Sequence, residues 1–335
     1  MQKRIQLAGA ALLLGMMPWA CAQQKEKPFD PGPTANLLSE AKPTFVVGPK
    51  EWPKKWTVIA YGDMRFTDPA NVKATNPKVR RWLVEKIATE HPDAVLLTGD
   101  VPWHGSVAGD YDVYRSETSP WRDAGLRVYP ALGNHELAQD ATAGVTNWWS
   151  TFPQLDRRRW YAVELGEVYV IALDSNLPLI AGSDQRLWLD SQLNALPGLT
   201  RFVFVILHHP VVADNGPHER HNLRPNEIAL GEYLNAKQAS LPARLVVVSG
   251  HTHNYERFNK AGITYLVSGG GGADPYPVER DPGDQYQDKS FPNYHYIRFS
   301  FDGSKLTATM MRVANPDADQ PSWEMKDTFV VDPVK

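Results

Sequence analysis

Apolar and polar positions follow two different periods along this chain, and each change of period marks an element. Trp56-Thr57-Val58-Ile59-Ala60-Tyr61 is an almost unbroken apolar run that stops at Gly62-Asp63, the pattern of a strand buried on both faces. Val79, Trp82, Leu83 and Ile87 then recur at helical spacing, and His91-Pro92 closes that helix. Ala94-Val95-Leu96-Leu97 is a second buried run, ending at Gly99-Asp100. A strand, a helix and a strand in this order predict two parallel strands. The device recurs downstream. Val128 to Leu132 runs into Gly133-Asn134-His135-Glu136, Phe202 to Leu207 into His208-His209-Pro210, and Leu245 to Val248 into Gly250-His251-Thr252-His253. Between them, Tyr161–Glu164 and Val168–Leu173 form a hairpin turning at Gly166. Ser183 caps a helix carrying Leu187, Leu189, Leu193 and Leu196. Residues 226–237 read as a helix, Ile263–Val267 as a strand before a glycine run, and Tyr294–Phe301 and Lys305–Val313 as strands joined at Asp302-Gly303. No internal repeat breaks this series, so residues 53–335 are expected to form one mixed α/β domain.

The N-terminus follows another logic. Lys3 and Arg4 precede the apolar stretch Ile5–Met17, and Ala20-Cys21-Ala22 forms an A-x-A cleavage pattern before Gln23. Residues 1–22 therefore read as a secretory signal peptide. A membrane span needs roughly 20 apolar residues, more than this run offers. Cleavage before Cys21 would instead give a lipoprotein, but Pro18-Trp19-Ala20 fits such sites poorly. The expectation is a soluble periplasmic or secreted protein, with no stable membrane span in its mature form. Residues 23–52 are polar and proline-rich, a linker or a strap over the surface.

Composition narrows the chemistry. Hydrophobic residues at 42% and charged residues at 22% exclude wholesale disorder. The 35 basic and 38 acidic residues give a net charge of −3, with no nucleic-acid-binding excess. Cleavage after Ala22 removes Lys3, Arg4 and no acid, moving the charge from −3 to −5, and removes the single cysteine. Any metal in the mature protein must then be held by nitrogen and oxygen.

Five strand ends carry such ligands: Asp63, Asp100, Asn134, His208 and the pair His251/His253. In open α/β sheets, ligands bind at the carboxyl ends of strands, so these positions converge on one rim. The order Gly-Asp, Gly-Asp, Gly-Asn-His-Glu, His, Gly-His-x-His resembles that of the calcineurin-like metallophosphoesterases. Gly250 to Arg257 is most similar to their purple acid phosphatase branch. The resemblance implies a two-sheet mixed β-sandwich flanked by helices, with a two-metal site on the strand ends. By position it implies that Asp100 bridges both ions, Asp63 and His253 hold the first, and Asn134, His208 and His251 hold the second. It also implies that His135 touches the phosphate or leaving group and that Glu136 orients it. Two ions about 3.5–4 Å apart suit in-line phosphoryl displacement, because they activate water and neutralise developing charge. This donor set suits Mn, Fe or Zn better than Ca or Mg.

Two positions depart from the pattern. Most of the superfamily has His two residues after the first Asp, where this chain has Arg65; the purple acid branch has Gly there and a ligating Tyr where this chain has Trp103. Neither guanidinium nor indole offers a lone pair to a metal. The first ion is short of a ligand, and either His104 completes it or Arg65 grips the phosphate bidentately; the second reading is preferred. His218, ten residues after His208, matches a substrate-side His of the purple acid branch, in a loop expected to be polar and exposed. His209 is expected to support a ligand, Asp174 and Trp148, Trp149 and Trp160 to be structural, and the glycine run 269–272 to mark a close backbone approach. The whole reads as an exported phosphomonoesterase or phosphodiesterase acting on a small phosphoester. The alternative is a secreted binding protein that kept the fold and lost catalysis.

Overall fold

The computed structural model describes residues 42–48, 50–214 and 223–334. The expected signal peptide, Cys21 and His218 lie outside them. Two mixed sheets make the frame. The seven-stranded sheet runs β1 (Phe45–Val47), β5 (Tyr161–Leu165), β6 (Val168–Ala172), β7 (Phe202–Ile206), β8 (Arg244–Ser249), β10 (Ile263–Ser268), β9 (Tyr255–Lys260). The six-stranded sheet runs β13 (Trp323–Val331), β12 (Leu306–Val313), β11 (His295–Phe301), β2 (Trp56–Tyr61), β3 (Ala94–Leu97), β4 (Val128–Pro130). In each, the strands that lead into candidate ligands are parallel: β2 with β3 and β3 with β4, β7 with β8.

The apolar runs lack alternation because both faces of these strands are covered. Along β7, Phe202, Phe204 and Ile206 face the core between the sheets, while Val203 and Val205 join a second core. The first face meets the other sheet through aromatic contacts. Phe204 packs edge-on against Phe299 at 4.9 Å, and Trp56 stacks on Phe301 at 5.2 Å. The second core is closed by Trp188, Leu189 and Leu193 of α5 (Asp184–Asn194) and Leu230 and Leu234 of α6 (Pro225–Gln238). Outside the six-stranded sheet lie α1 (Pro77–Thr89) and α3 (Ser119–Asp123). The Trp121 indole donates to the Val84 carbonyl at 2.9 Å and meets the Tyr61 ring at 6.0 Å. Asn76 caps α1 by accepting from the Val79 N–H, and Pro77 follows it.

Several local readings change. Ser183 sits at the start of α5, but its hydroxyl donates to the Pro178 and Ile180 carbonyls and so caps no helix N–H. The described end of the proline-rich segment is not only a surface strap: Phe45–Val47 pairs with β5, and Trp52 is buried in the core. Val212 and Asp214, at the start of the loop 212–221 expected to be exposed, are buried. Two helices, α2 (Ala108–Glu117) and α4 (Ala141–Thr151), and the edge strand β13 had no clear periodic signal. Trp148, Trp149 and Trp160 are core side chains, as expected.

Candidate metal centre

Each candidate ligand stands just beyond a parallel strand, and several of the turns there use backbone that few residues adopt willingly. Asp63 (φ 62°), Arg65 (φ 50°), Asp100 (φ 53°) and His251 (φ 69°) are all left-handed. Such residues store strain of order 1–3 kcal/mol each and persist only where surroundings enforce the geometry. The enforcement is visible. The Asp63 N–H donates to the Gly99 carbonyl, the Arg65 N–H to the Asp100 carbonyl, and the Gly250 N–H to the His208 carbonyl, each at 3.0 Å. Gly99 (φ 95°) permits a close approach, since a Cβ there would lie 2.7 Å from the Gly133 nitrogen and 2.9 Å from His208 Nδ1. The glycine run behaves as expected: a Cβ on Gly269 would sit 2.1 Å from the Thr252 carbonyl oxygen and 3.0 Å from Asp63 Oδ2.

Backbone carbonyls fix the imidazole tautomers. His208 Nδ1 lies 2.9 Å from the Thr98 carbonyl, His253 Nδ1 2.5 Å from that of Asp274, and His135 Nδ1 2.6 Å from that of Trp103. A carbonyl can only accept, so each Nδ1 carries the proton and each Nε2 presents a lone pair.

Those lone pairs converge. His208 Nε2 is 2.9 Å from Asn134 Oδ1 and 3.2 Å from His251 Nδ1, which is itself 3.1 Å from Asn134 Oδ1. His251 Nδ1 can hold one proton at most, so acceptor faces acceptor in this triangle, the arrangement a cation relieves. Asp100 Oδ1 closes it at 3.3 Å from His208 Nε2. A second facing pair lies beside it: Asp63 Oδ1 and His253 Nε2 are 3.5 Å apart, both buried and without a hydrogen-bond partner among the described residues. Asp63, Asp100 and His208 offer ligand atoms within 4.8 Å of one another. The residues thus fit a metal ion well at Asn134, His208 and His251, and less completely at Asp63 and His253.

The electrostatics suit a cation-binding site. Burial raises the Asp63 carboxyl to about 7, while His208 and Arg65 pull the other way. Burial also opposes ionisation of Asp100, but His208, His135 and Arg65 outweigh it and hold that carboxyl far below the ordinary range. Burial lowers His135 to about 4 and His253 to about 3, keeping both rings neutral and ready to accept.

The other sequence candidates fall around this core. His135 Nε2 points toward Asp100 Oδ2 at 3.8 Å. Glu136 does not orient His135, as had been expected. It accepts from the N–H groups of Gly133, Asp100 and Val101, binding two ligand turns together, and the Trp103 carbonyl orients the His135 ring instead. His209 packs against His251 with ring centres 4.6 Å apart and pairs with the Ser175 hydroxyl at 2.7 Å. His104 stacks beside Trp103 and His135 and belongs to no ligand group found among the described residues. Arg65 reaches the centre, with Nη2 3.4 Å from Asp100 Oδ2.

Sequence reasoning missed the supports. Asn176 donates to the Gly133 carbonyl at 3.1 Å, just ahead of Asn134, and is itself held by Asp174. Asp174 is structural, as read, in a buried ion pair with Arg159. Asp174-Ser175-Asn176 follows β6 at the same rim, a position the strand-end pattern itself could have flagged. Carbonyl partners leave no such trace, because every residue has one.

The family model of the calcineurin-like phosphoesterases matches residues 57–255. A probable purple acid phosphatase 20 of Arabidopsis thaliana is 25% identical over 249 residues, 68% of this chain and 54% of that protein. A probable cyclic nucleotide phosphodiesterase of Vesicomyosocius okutanii is 21% identical over 212 residues, covering 63% and 84%. Among solved structures, purple acid phosphatase PPD1 from yellow lupin superposes with a TM-score of 0.67 at 17% identity, covering 83% of this chain and 54% of that one. The chain spans about half the length of these plant proteins.

Proposed function

Because the chain belongs to the calcineurin-like phosphoesterase family, we propose that it is an exported, metal-dependent hydrolase of small phosphomonoesters or phosphodiesters. The observation that carries this reading is the triangle of His208 Nε2, His251 Nδ1 and Asn134 Oδ1, closed by Asp100. Mn, Fe or Zn suits that donor set. An ion held there by Asn134, His208, His251 and Asp100 would supply Lewis acidity and would lower the pKa of water from 15.7 to about 7.

The remaining work belongs to side chains. Asp100 is fully buried and stays ionised, so it anchors positive charge at the centre. His135 has Nδ1 committed to the Trp103 carbonyl, and any proton it exchanges with a leaving group passes through Nε2. Arg65 keeps donors in reserve. Among the described residues its Nε has no hydrogen-bond partner and its side-chain bond to Asp100 is long, so its fork is available for two phosphate oxygens. His209, held by Ser175, braces His251.

The test is hydrolysis of chromogenic mono- and diesters by the purified protein with added Mn, Zn or Fe. Activity should vanish on chelation and return with metal. Full activity after demonstrated metal loss would overturn the reading. Export is tested separately: the mature chain should begin at Gln23, whereas an acylated species beginning at Cys21 would favour the lipoprotein.

A further inference from the structure

Arg65 and Trp103, the two residues that cannot ligate a metal, touch each other. The Arg65 guanidinium carbon lies 5.1 Å from the centre of the Trp103 ring, a cation over an aromatic face. The backbone makes this meeting unavoidable. The segment after Asp63 runs beside the one after Asp100, joined by N–H to carbonyl bonds from Arg65 to Asp100, Phe66 to Val101 and Trp103 to Phe66. Phe66 and Pro102 form a parallel bridge between the two segments. The Arg80 guanidinium fixes the Arg65 carbonyl at 3.2 Å, pinning the turn from behind.

The two oxygens of Asp100 are divided between different tasks. Oδ1 faces the ligand triangle, 3.3 Å from His208 Nε2, and accepts the His135 N–H at 2.9 Å. Oδ2 faces Arg65 Nη2 at 3.4 Å and His135 Nε2 at 3.8 Å. The oxygen that a bridging carboxylate would turn to a second ion is thus turned to a fixed organic cation. The Arg65 side chain is only 14% exposed, so its charge is held at the site and does not extend into solvent. Asp63 retains a use here without any ion, because its Oδ2 accepts the His251 N–H at 2.9 Å and so sets one corner of the triangle.

We propose that Trp103 and Arg65 form a single guanidinium seat on Asp100 Oδ2 that takes the place of the first ion. The working centre then holds one tightly bound metal ion, at Asn134, His208 and His251, and a phosphoester is gripped between that side and the guanidinium. Trp103 is a positioning residue in this arrangement: its ring supports the guanidinium, and its carbonyl orients His135. The family works with two ions, so this chain would replace one of them by a side chain. The inference rests on the hydrolase reading above.

The test is calorimetric titration of Mn²⁺ into the metal-stripped full chain, with bound metal counted independently and orthophosphate binding measured afterwards. Wild type should bind one tight equivalent. Arg65→Gly suits the φ of 50° at this position, frees Asp100 Oδ2, and should admit a second equivalent beside Asp63 and His253. Trp103→Leu should weaken orthophosphate binding about tenfold, with Trp103→Phe restoring it. Combined with Arg65→Gly, it should add no further loss. Two equally tight ions in wild type would overturn the seat and leave the hydrolase reading standing. No bound metal at all would overturn both. Should the variants fail to fold, the wild-type stoichiometry still decides. Unchanged phosphate binding in folded Trp103→Leu would remove Trp103 from the proposal.

Discussion

The two halves of the centre start from the same device, a side chain just beyond a parallel strand, and end in different chemistry. On one side Asn134, His208 and His251 come from the ends of β4, β7 and β8, so both sheets contribute to one triangle of lone pairs. On the other, Asp63 Oδ1 and His253 Nε2 face each other, and Arg65 and Trp103 lie beside Asp100. The fold sets where strand ends lie. The residues placed there decide whether a position takes a metal ion or supplies its own cation.

Substitutions separate the halves, and the largest effect should come from the triangle. Asn134→Ala or His251→Ala should empty it and lower turnover about 10³-fold or more, since the Lewis acid is lost. His253→Ala should keep the metal content of wild type; loss of the metal there would make the two halves equivalent. His135→Ala should retain metal while slowing turnover by about 10²–10⁴-fold, the range of an acid–base group. Metal loss equal to that of Asn134→Ala would make His135 a support and not a participant. Smaller again is Asn176→Ala. Its lost bond to the Gly133 carbonyl should weaken metal affinity about tenfold with little change in melting temperature, as supports of ligands do.

The smallest effect lies outside both halves and serves as a control on pH. Asp214 and Asp284 pair with Arg280, Glu256 accepts the Asp214 N–H, and burial raises the Asp214 carboxyl to about 7 although the Asp281 N–H opposes this. An acid whose folded pKa exceeds its unfolded value keeps in the fold a proton that unfolding releases. Its favourable contribution is complete below about pH 4 and is lost as pH rises through about 7. Asp214→Asn should therefore flatten the fall of melting temperature between pH 4.5 and 7.5. The gain at the upper end should be about 1 kcal/mol, or roughly 2 °C for a chain of this size. Unchanged pH dependence would assign the slope to other groups.

The same contrast explains what was legible in the sequence. Strand ends announce themselves, because an apolar run followed by Gly-Asp or Gly-His changes both period and polarity within two residues. Asp63, Asp100 and His251 were readable for that reason, and Asn134, His208 and His253 from the polar groups that end the other apolar runs, whereas the sandwich of two mixed sheets was implied only by the family resemblance those motifs carry. Glu136 was placed at the right rim with the wrong partner, since three backbone N–H groups compete for it and none appears in a motif. The contact between Arg65 and Trp103 was invisible because it depends on two separate turns running side by side. The edge strand β13 was missed since one face meets solvent and its pairing with β12 shifts register between Met310 and Met311.

The central claim, that one half of the centre is a metal site and the other is finished by a guanidinium, can be tested by locating the metal directly. Crystals of the wild-type protein grown with Mn²⁺ and measured at its absorption edge would give an anomalous difference map. The account predicts one strong peak among Asn134 Oδ1, His208 Nε2 and His251 Nδ1, with the Arg65 guanidinium still facing Asp100 Oδ2. A peak only between Asp63 and His253, or two peaks of equal height with Arg65 displaced from Asp100, would contradict it.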